Sequence, residues 1–140
     1  MTPEQRTVAA VLRCLGGLDL LALAAVVMPR RWMEASAAAA GLSTLPPEPV
    51  VGYLARSAAL MYALHGATVL YAAGDVARHW GLIRFLALAA LAHGAVVAGI
   101  DAAEAMPLWW RAAEGPGFAA TGLLVLWLQR RAELAQEVPP

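Results

Sequence analysis

Apolar residues run along this chain in four blocks, each closed by proline, glycine or charged residues. The first extends from about residue 7 to 28 and stops at Pro29, which cannot continue a helix. The second covers about 50–73, follows the breaker Pro46-Pro47-Glu48-Pro49 and ends at Gly74-Asp75. The third covers about 82–100. The fourth covers about 116–129, opening on Pro116 as a helix-initiating proline and closing at Gln129-Arg130-Arg131. A helix that crosses a bilayer core of ~30 Å needs about 20 apolar residues. The second and third blocks meet that length, and the first meets it if Arg13 snorkels towards the interface. The fourth is short; it thins the bilayer, leans on its neighbours, or begins earlier around Trp109.

None of the blocks alternates as barrel strands do, and helices alone satisfy their own backbone in lipid without closing a barrel. The predicted fold is therefore all-α: an integral-membrane up-down four-helix bundle, residues 1–140 forming one transmembrane domain. The short linker from Gly74 to Trp80 makes helices two and three antiparallel neighbours. Residues 30–41 read as an interfacial helix between helices one and two, anchored by Trp32, with Trp109 and Trp110 as a second interfacial anchor.

Composition agrees with a lipid solvent. Of 140 residues, 61% are hydrophobic and 14% charged, with a mean hydropathy of +0.62. Soluble domains lie nearer ~45–50% apolar and ~25% charged, and a chain this short buries too little surface to hide the excess. Ten arginines balance ten acidic residues and no basic stripe interleaves with aromatics, so no nucleic-acid partner is expected. Lysine and asparagine are missing, the bias of a GC-rich bacterial genome. A lone Cys14 excludes an intrachain disulfide and a multi-cysteine metal site. The segment from Arg6 through the apolar run to Ala35-Ser36-Ala37 imitates a signal peptide, but Arg13, Asp19 and Pro29-Arg30-Arg31 interrupt it, so an uncleaved first helix is expected. With both termini inside, six arginines fall on the cytoplasmic side and four outside, which favours cytoplasmic termini in a bacterial inner membrane.

An internal echo links helices two and three. Arg56, eight residues, His65-Gly66 is repeated as Arg84, eight residues, His93-Gly94, and Asp75 and Asp101 follow in turn. A duplicated helical pair leaves such a trace; so does chance in an Ala-Leu background. Nine residues at ~100° each set Arg and His of one helix on opposite faces, ~13 Å apart along the axis. Across an antiparallel pair, Arg56 approaches the level of Asp101 and Arg84 that of Asp75, which predicts two interhelical ion pairs.

Asp19, His65 and His93 fall near the middle of their helices, where a charge costs at least ~2.5 kcal/mol, so each is a functional candidate. Tyr62, His65 and Thr68 share one face of helix two, and Gly16, one turn before Asp19, lets another helix approach the carboxylate. The predicted site is a buried cluster of Asp19, His65 and His93 lined by Tyr62 and Thr68. Such a cluster serves as interhelical structure, as a pocket where His and Tyr donate to a quinone or other small lipophilic molecule, or as a proton or ion path. Haem between the two histidines is disfavoured, because directly packed helices ~8–10 Å apart leave no slot for a porphyrin. Two His and one Asp are acceptable zinc ligands, but the spacing does not demand a metal, and no cofactor is assigned. Sequence signatures of hydrolases, phosphate-binding loops and zinc proteases are missing, so no catalytic residue is assigned.

In layout the chain resembles the DoxX-like group of small four-helix bacterial membrane proteins. Arg13-Cys14-Leu15-Gly16-Gly17 leads to Met28-Pro29, then come an interfacial segment and three further helices. The resemblance implies a small inner-membrane protein from a group with some members associated with quinone-linked sulfur or thiol redox chemistry. Asp19 and the paired Arg-x8-His-Gly elements depart from it, so no functional residue is carried over. The function expected is an accessory or interaction subunit of a membrane complex, held to a protein partner or to further copies of itself. A small transporter or proton relay built on the Asp/His cluster, and a membrane oxidoreductase with a quinone-like substrate, are the alternatives.

Overall fold

The computed structural model describes residues 2–42 and 45–137, and all regular structure among them is helical. The helices are α1 (Pro3–Leu20), α2 (Leu23–Val26), α3 (Arg30–Ala39), α4 (Pro49–Gly74), α5 (Trp80–Ala103) and α6 (Leu108–Glu137). They pack as two compact units, one holding the chain up to Arg13 and everything from Tyr71 onward, the other Cys14–Leu70.

Two of the predicted elements differ in extent. The first apolar block does not form one helix. After Asp19 the hydrogen bonding tightens: Leu21 N is shared between Gly17 O and Leu18 O, and Ala22, Ala24 and Ala25 each reach back three residues. This 3₁₀ pattern separates α1 from α2. The fourth helix starts at Leu108, the earlier start near Trp109 and not Pro116. The helix-initiating proline is Pro107, whose carbonyl accepts Trp110 N and Arg111 N, and Pro116 lies inside the helix. An interior proline forfeits one rung of the ladder, but a helix packed against a neighbour tolerates it. Here the adjacent Gly115 lies directly against α5.

The segment predicted to lie at the interface is α3, with Trp32 more than half exposed and Arg30 paired to Glu34 one turn on at 2.9 Å. It closes through Gly41, whose φ of +73° allows Leu42 N to bond Ala37 O. Helix α5 closes the same way through Ala105 at φ +50°, with Met106 N on Asp101 O.

In the Cys14–Leu70 unit, α4 buries Gly52, Ala59, Ala63, Gly66 and Val69 and turns Tyr53, Leu54, Met61 and Leu64 outward. In the other unit, α5 buries Ala87, Gly94 and Asp101 at seven-residue spacing while Phe85, Leu88, Val96 and Ile100 face out. Small residues inside and bulky apolar residues outside is the arrangement of helices that pack in lipid, where close backbone approach replaces a hydrophobic core. Two helical stretches, Pro3–Val26 and Trp80–Ala103, are long and apolar enough to cross a membrane. Only 22% and 17% of their apolar windows are buried, unlike the core helix of a soluble protein. Helices α4 and α6 are also long, but Arg56 and His65 interrupt the first and Arg111, Glu114 and the arginines after Gln129 interrupt the second.

Antiparallel α5 and α6 meet along a seam of small residues. A Cβ on Gly94 would lie 2.6 Å from Gly115 O, and one on Gly122 would lie 2.5 Å from Ala87 O. On α6 the buried positions Gly115, Gly122 and Gln129 repeat every seven residues, as do Val125 and Ala132. That is the spacing of helices packed at a shallow left-handed crossing.

Candidate functional site

Within the Cys14–Leu70 unit, α1 and α4 cross antiparallel at a pair of glycines. A Cβ on Gly16 would sit 2.8 Å from Gly66 O; one on Gly66 would sit 2.6 Å from Gly16 O and 2.9 Å from Asp19 Cβ. No larger residue permits that approach, and the approach sets the neighbouring side chains. Asp19 follows Gly16 by one turn and His65 immediately precedes Gly66, so at an antiparallel crossing the two converge. His65 Nδ1 lies 2.8 Å from Asp19 Oδ2.

The dyad is not sealed. The His65 side chain is 45% exposed and that of Asp19 28%, although Leu18 and Leu64 beside them are exposed apolar residues. The Nδ1 contact orients the imidazole, and Nε2 has no hydrogen-bond partner among the described residues. Chemically, such a dyad holds a proton between two groups and presents a second ring nitrogen to whatever covers it. The 3₁₀ turn starts directly after Asp19, so the carboxylate sits at the end of a helix and not within a continuous one.

The other predicted residues have other partners. Thr68 Oγ1 donates to Leu64 O of its own helix at 2.9 Å, so its hydroxyl is spent within α4. Tyr62, half-buried, is on α4 one turn before His65. His93 belongs to the other unit, where its ring meets Phe118 edge-on at 4.5 Å. Its neighbour Gly94 faces Gly115, three residues before Phe118, just as Gly66 faces Gly16, three residues before Asp19. The two His-Gly elements thus occupy equivalent packing positions, with a carboxylate opposite one histidine and a phenyl ring opposite the other.

The arginines of the expected ion pairs make other contacts within their own units. Arg84 has no ion pair with Asp75 among the described residues; its Nη1 lies 3.8 Å from Glu133 on α6, and Asp75 Oδ1 instead accepts Arg78 N. The seven-residue seam explains this, since it brings the C-terminal part of α6 alongside the start of α5. Arg56 folds back past Gly52 and donates to Met28 O at 3.0 Å, capping a carbonyl where α2 has ended. Asp101 is buried, and its Oδ2 has no hydrogen-bond partner among the described residues. Trp109 and Trp110 lie in the first turn of α6 with their rings 5.3 Å apart, and Trp110 Nε1 donates to Glu114.

One polar network was not anticipated from sequence. Glu133 accepts Trp80 Nε1 at 3.0 Å, and the buried Gln129 donates to Trp80 O at 3.0 Å. The heptad spacing of Gly115, Gly122 and Gln129 is the available signal, and it emerges only when the helix starts before Gly115. No group of three or more His, Cys, Asp or Glu side chains able to hold a metal ion occurs among the described residues. The chain matches no family model, no curated protein and no solved structure.

Proposed function

We propose that this chain is a small integral membrane protein whose helices, α1 with α2, α4, α5 and α6, cross a bacterial inner membrane as an up-down bundle. In this reading it acts without catalysis, as an accessory or interaction subunit of a membrane complex of the kind the DoxX-like layout suggests. The observation that carries the reading is the low burial of its two most apolar helices, 22% and 17% of their windows. An apolar helix left this bare in water would aggregate, whereas lipid or a partner helix covers it at no cost. The test is expression with a C-terminal tag, alkaline carbonate extraction of the membranes, and purification in a mild detergent. Retention in the pellet and a stoichiometric protein partner are expected. Release into the alkaline supernatant would refute the membrane reading, and a partner-free preparation would refute the subunit role.

One observation favours a second reading, a proton relay: the half-exposed Asp19–His65 contact at 2.8 Å in the Cys14–Leu70 unit. Intramembrane Asp and His pairs are the material of such relays. Proteoliposomes carrying a trapped pH dye distinguish it, because Asp19→Asn and His65→Ala would each abolish proton flux there and leave assembly with a partner intact.

A further inference from the structure

At the end of the Tyr71-onward unit where α5 begins and α6 closes, Arg84, one turn into α5, and Arg130 on α6 converge on Glu133, with Arg78 in the turn before α5 and Arg131 next to Arg130 in the chain. Between residues 75 and 84 and between 127 and 137, Asp75, Glu133 and Glu137 are the acidic residues against four arginines, so the sequence there keeps an excess of one positive charge. Glu133 organises this patch. Its Oε1 accepts the Trp80 indole N–H at 3.0 Å, fixing the carboxylate. Arg84 Nη1 and Arg130 Nη1 then stand 3.8 and 3.9 Å from its two oxygens, their side chains 62% and 67% exposed. Those separations are ion-pair distances but exceed a hydrogen bond. Glu133 therefore draws two exposed guanidinium groups towards one carboxylate by charge, and neither makes a hydrogen bond among the described residues. Arg131, next to Arg130 in the chain, lies over the Trp127 ring with its guanidinium carbon 4.9 Å from the centroid, a cation–π contact.

We propose that this patch binds the phosphate of an anionic phospholipid headgroup. Paired guanidinium forks with unused donors match phosphate oxygens in geometry and charge, and an exposed Trp127 suits the headgroup zone of a bilayer. The patch stands at the first turn of one of the two helices apolar enough to span the membrane, which puts the donors at headgroup depth. A basic cluster there gains about 1 kcal/mol per arginine from an anionic leaflet. The proposal rests on the membrane reading above, but it names a ligand that reading does not require.

Native mass spectrometry and lipid titration of the detergent-purified protein provide the test, with phosphatidylglycerol and phosphatidylcholine as probes. Phosphatidylglycerol is expected to bind in preference. R84Q/R130Q is expected to weaken it about thirtyfold, while R111Q, near the opposite end of α6, leaves it unchanged. Should the double glutamine variant not fold, R84K/R130K keeps the charges and removes the forks; a severalfold loss supports the proposal and an unchanged affinity overturns it. Equal binding of the two lipids, or an unaffected R84Q/R130Q, also overturns it. Inorganic phosphate displacing the lipid at low millimolar concentration would assign the patch to free phosphate and overturn the lipid assignment. Carbonate extraction reports separately on membrane insertion, so the two failures are distinguishable.

Discussion

Replacing Gly66 by alanine adds one methyl group where the backbones of α1 and α4 come closest. The new Cβ would lie 2.6 Å from Gly16 O and 2.8 Å from Leu20 N, both backbone atoms that no rotamer change can move. Restoring ordinary contact at about 3.4 Å requires the helices to part by about 0.8 Å. The same movement stretches the 2.8 Å contact between Asp19 Oδ2 and His65 Nδ1 to about 3.6 Å, where it no longer counts as a hydrogen bond. Overpacking of this kind costs about 1–3 kcal/mol, and an interhelical hydrogen bond in a membrane protein contributes about 0.6 kcal/mol. Net of a helix-propensity gain of up to about 1 kcal/mol, Gly66→Ala should therefore lower stability by about 1–3 kcal/mol in reversible SDS unfolding from mixed micelles. Combined with His65→Ala it should be non-additive by roughly the hydrogen-bond energy, because the first change has already broken the dyad. Gly17→Ala is the internal control. Its Cβ meets nothing within 4 Å, so the gain in helix propensity, up to about 1 kcal/mol, should appear undiminished. A Gly66→Ala protein as stable as the parent, or strict additivity with His65→Ala, would refute the close crossing and its control of the dyad.

Three further changes have signs fixed by local structure. Ala105 carries a side chain at φ +50°, so Ala105→Gly should stabilise the α5 terminus by about 1 kcal/mol in the same unfolding assay. Gln129 makes one hydrogen bond to Trp80 O but leaves its own Oε1 buried without a partner, so Gln129→Met, which removes the orphan with the bond, should change stability by less than about 1 kcal/mol. Asp101 is buried with Oδ2 unpaired among the described residues, and Asp101→Leu, which removes the orphaned oxygen at similar volume, should leave the midpoint of detergent unfolding unchanged or raise it; a lowered midpoint would show that the carboxylate has a partner.

The helices were legible from sequence because their causes are local. Pro49 and Gly74 bound α4 within a residue of the expected limits, and α5 extends the expected 82–100 by two or three residues at each end. Proline and glycine act through their own backbones, so their effect needs no neighbour. The fourth helix shows where that reasoning stops. Pro107 and Pro116 are equally able to start a helix, and the seam with α5 holds the turns around Pro116 helical.

Partner choice belongs to tertiary structure for the same reason. Asp19 and His65 stand out in sequence as ionisable residues in apolar surroundings, and Gly16 marks where a helix can approach. That it is Gly66 that meets Gly16, placing the imidazole on the carboxylate, follows from an antiparallel register no single helix encodes. Arg84 makes the converse point: its level across an antiparallel helix pair points to Asp75, and a seven-residue seam of small residues delivers Glu133. Apolar content, helical class and the identity of the polar residues are sums over single positions, which the chain alone determines. Which polar groups face each other depends on helix register, where one methyl at Gly66 or Gly94 is enough to move the answer.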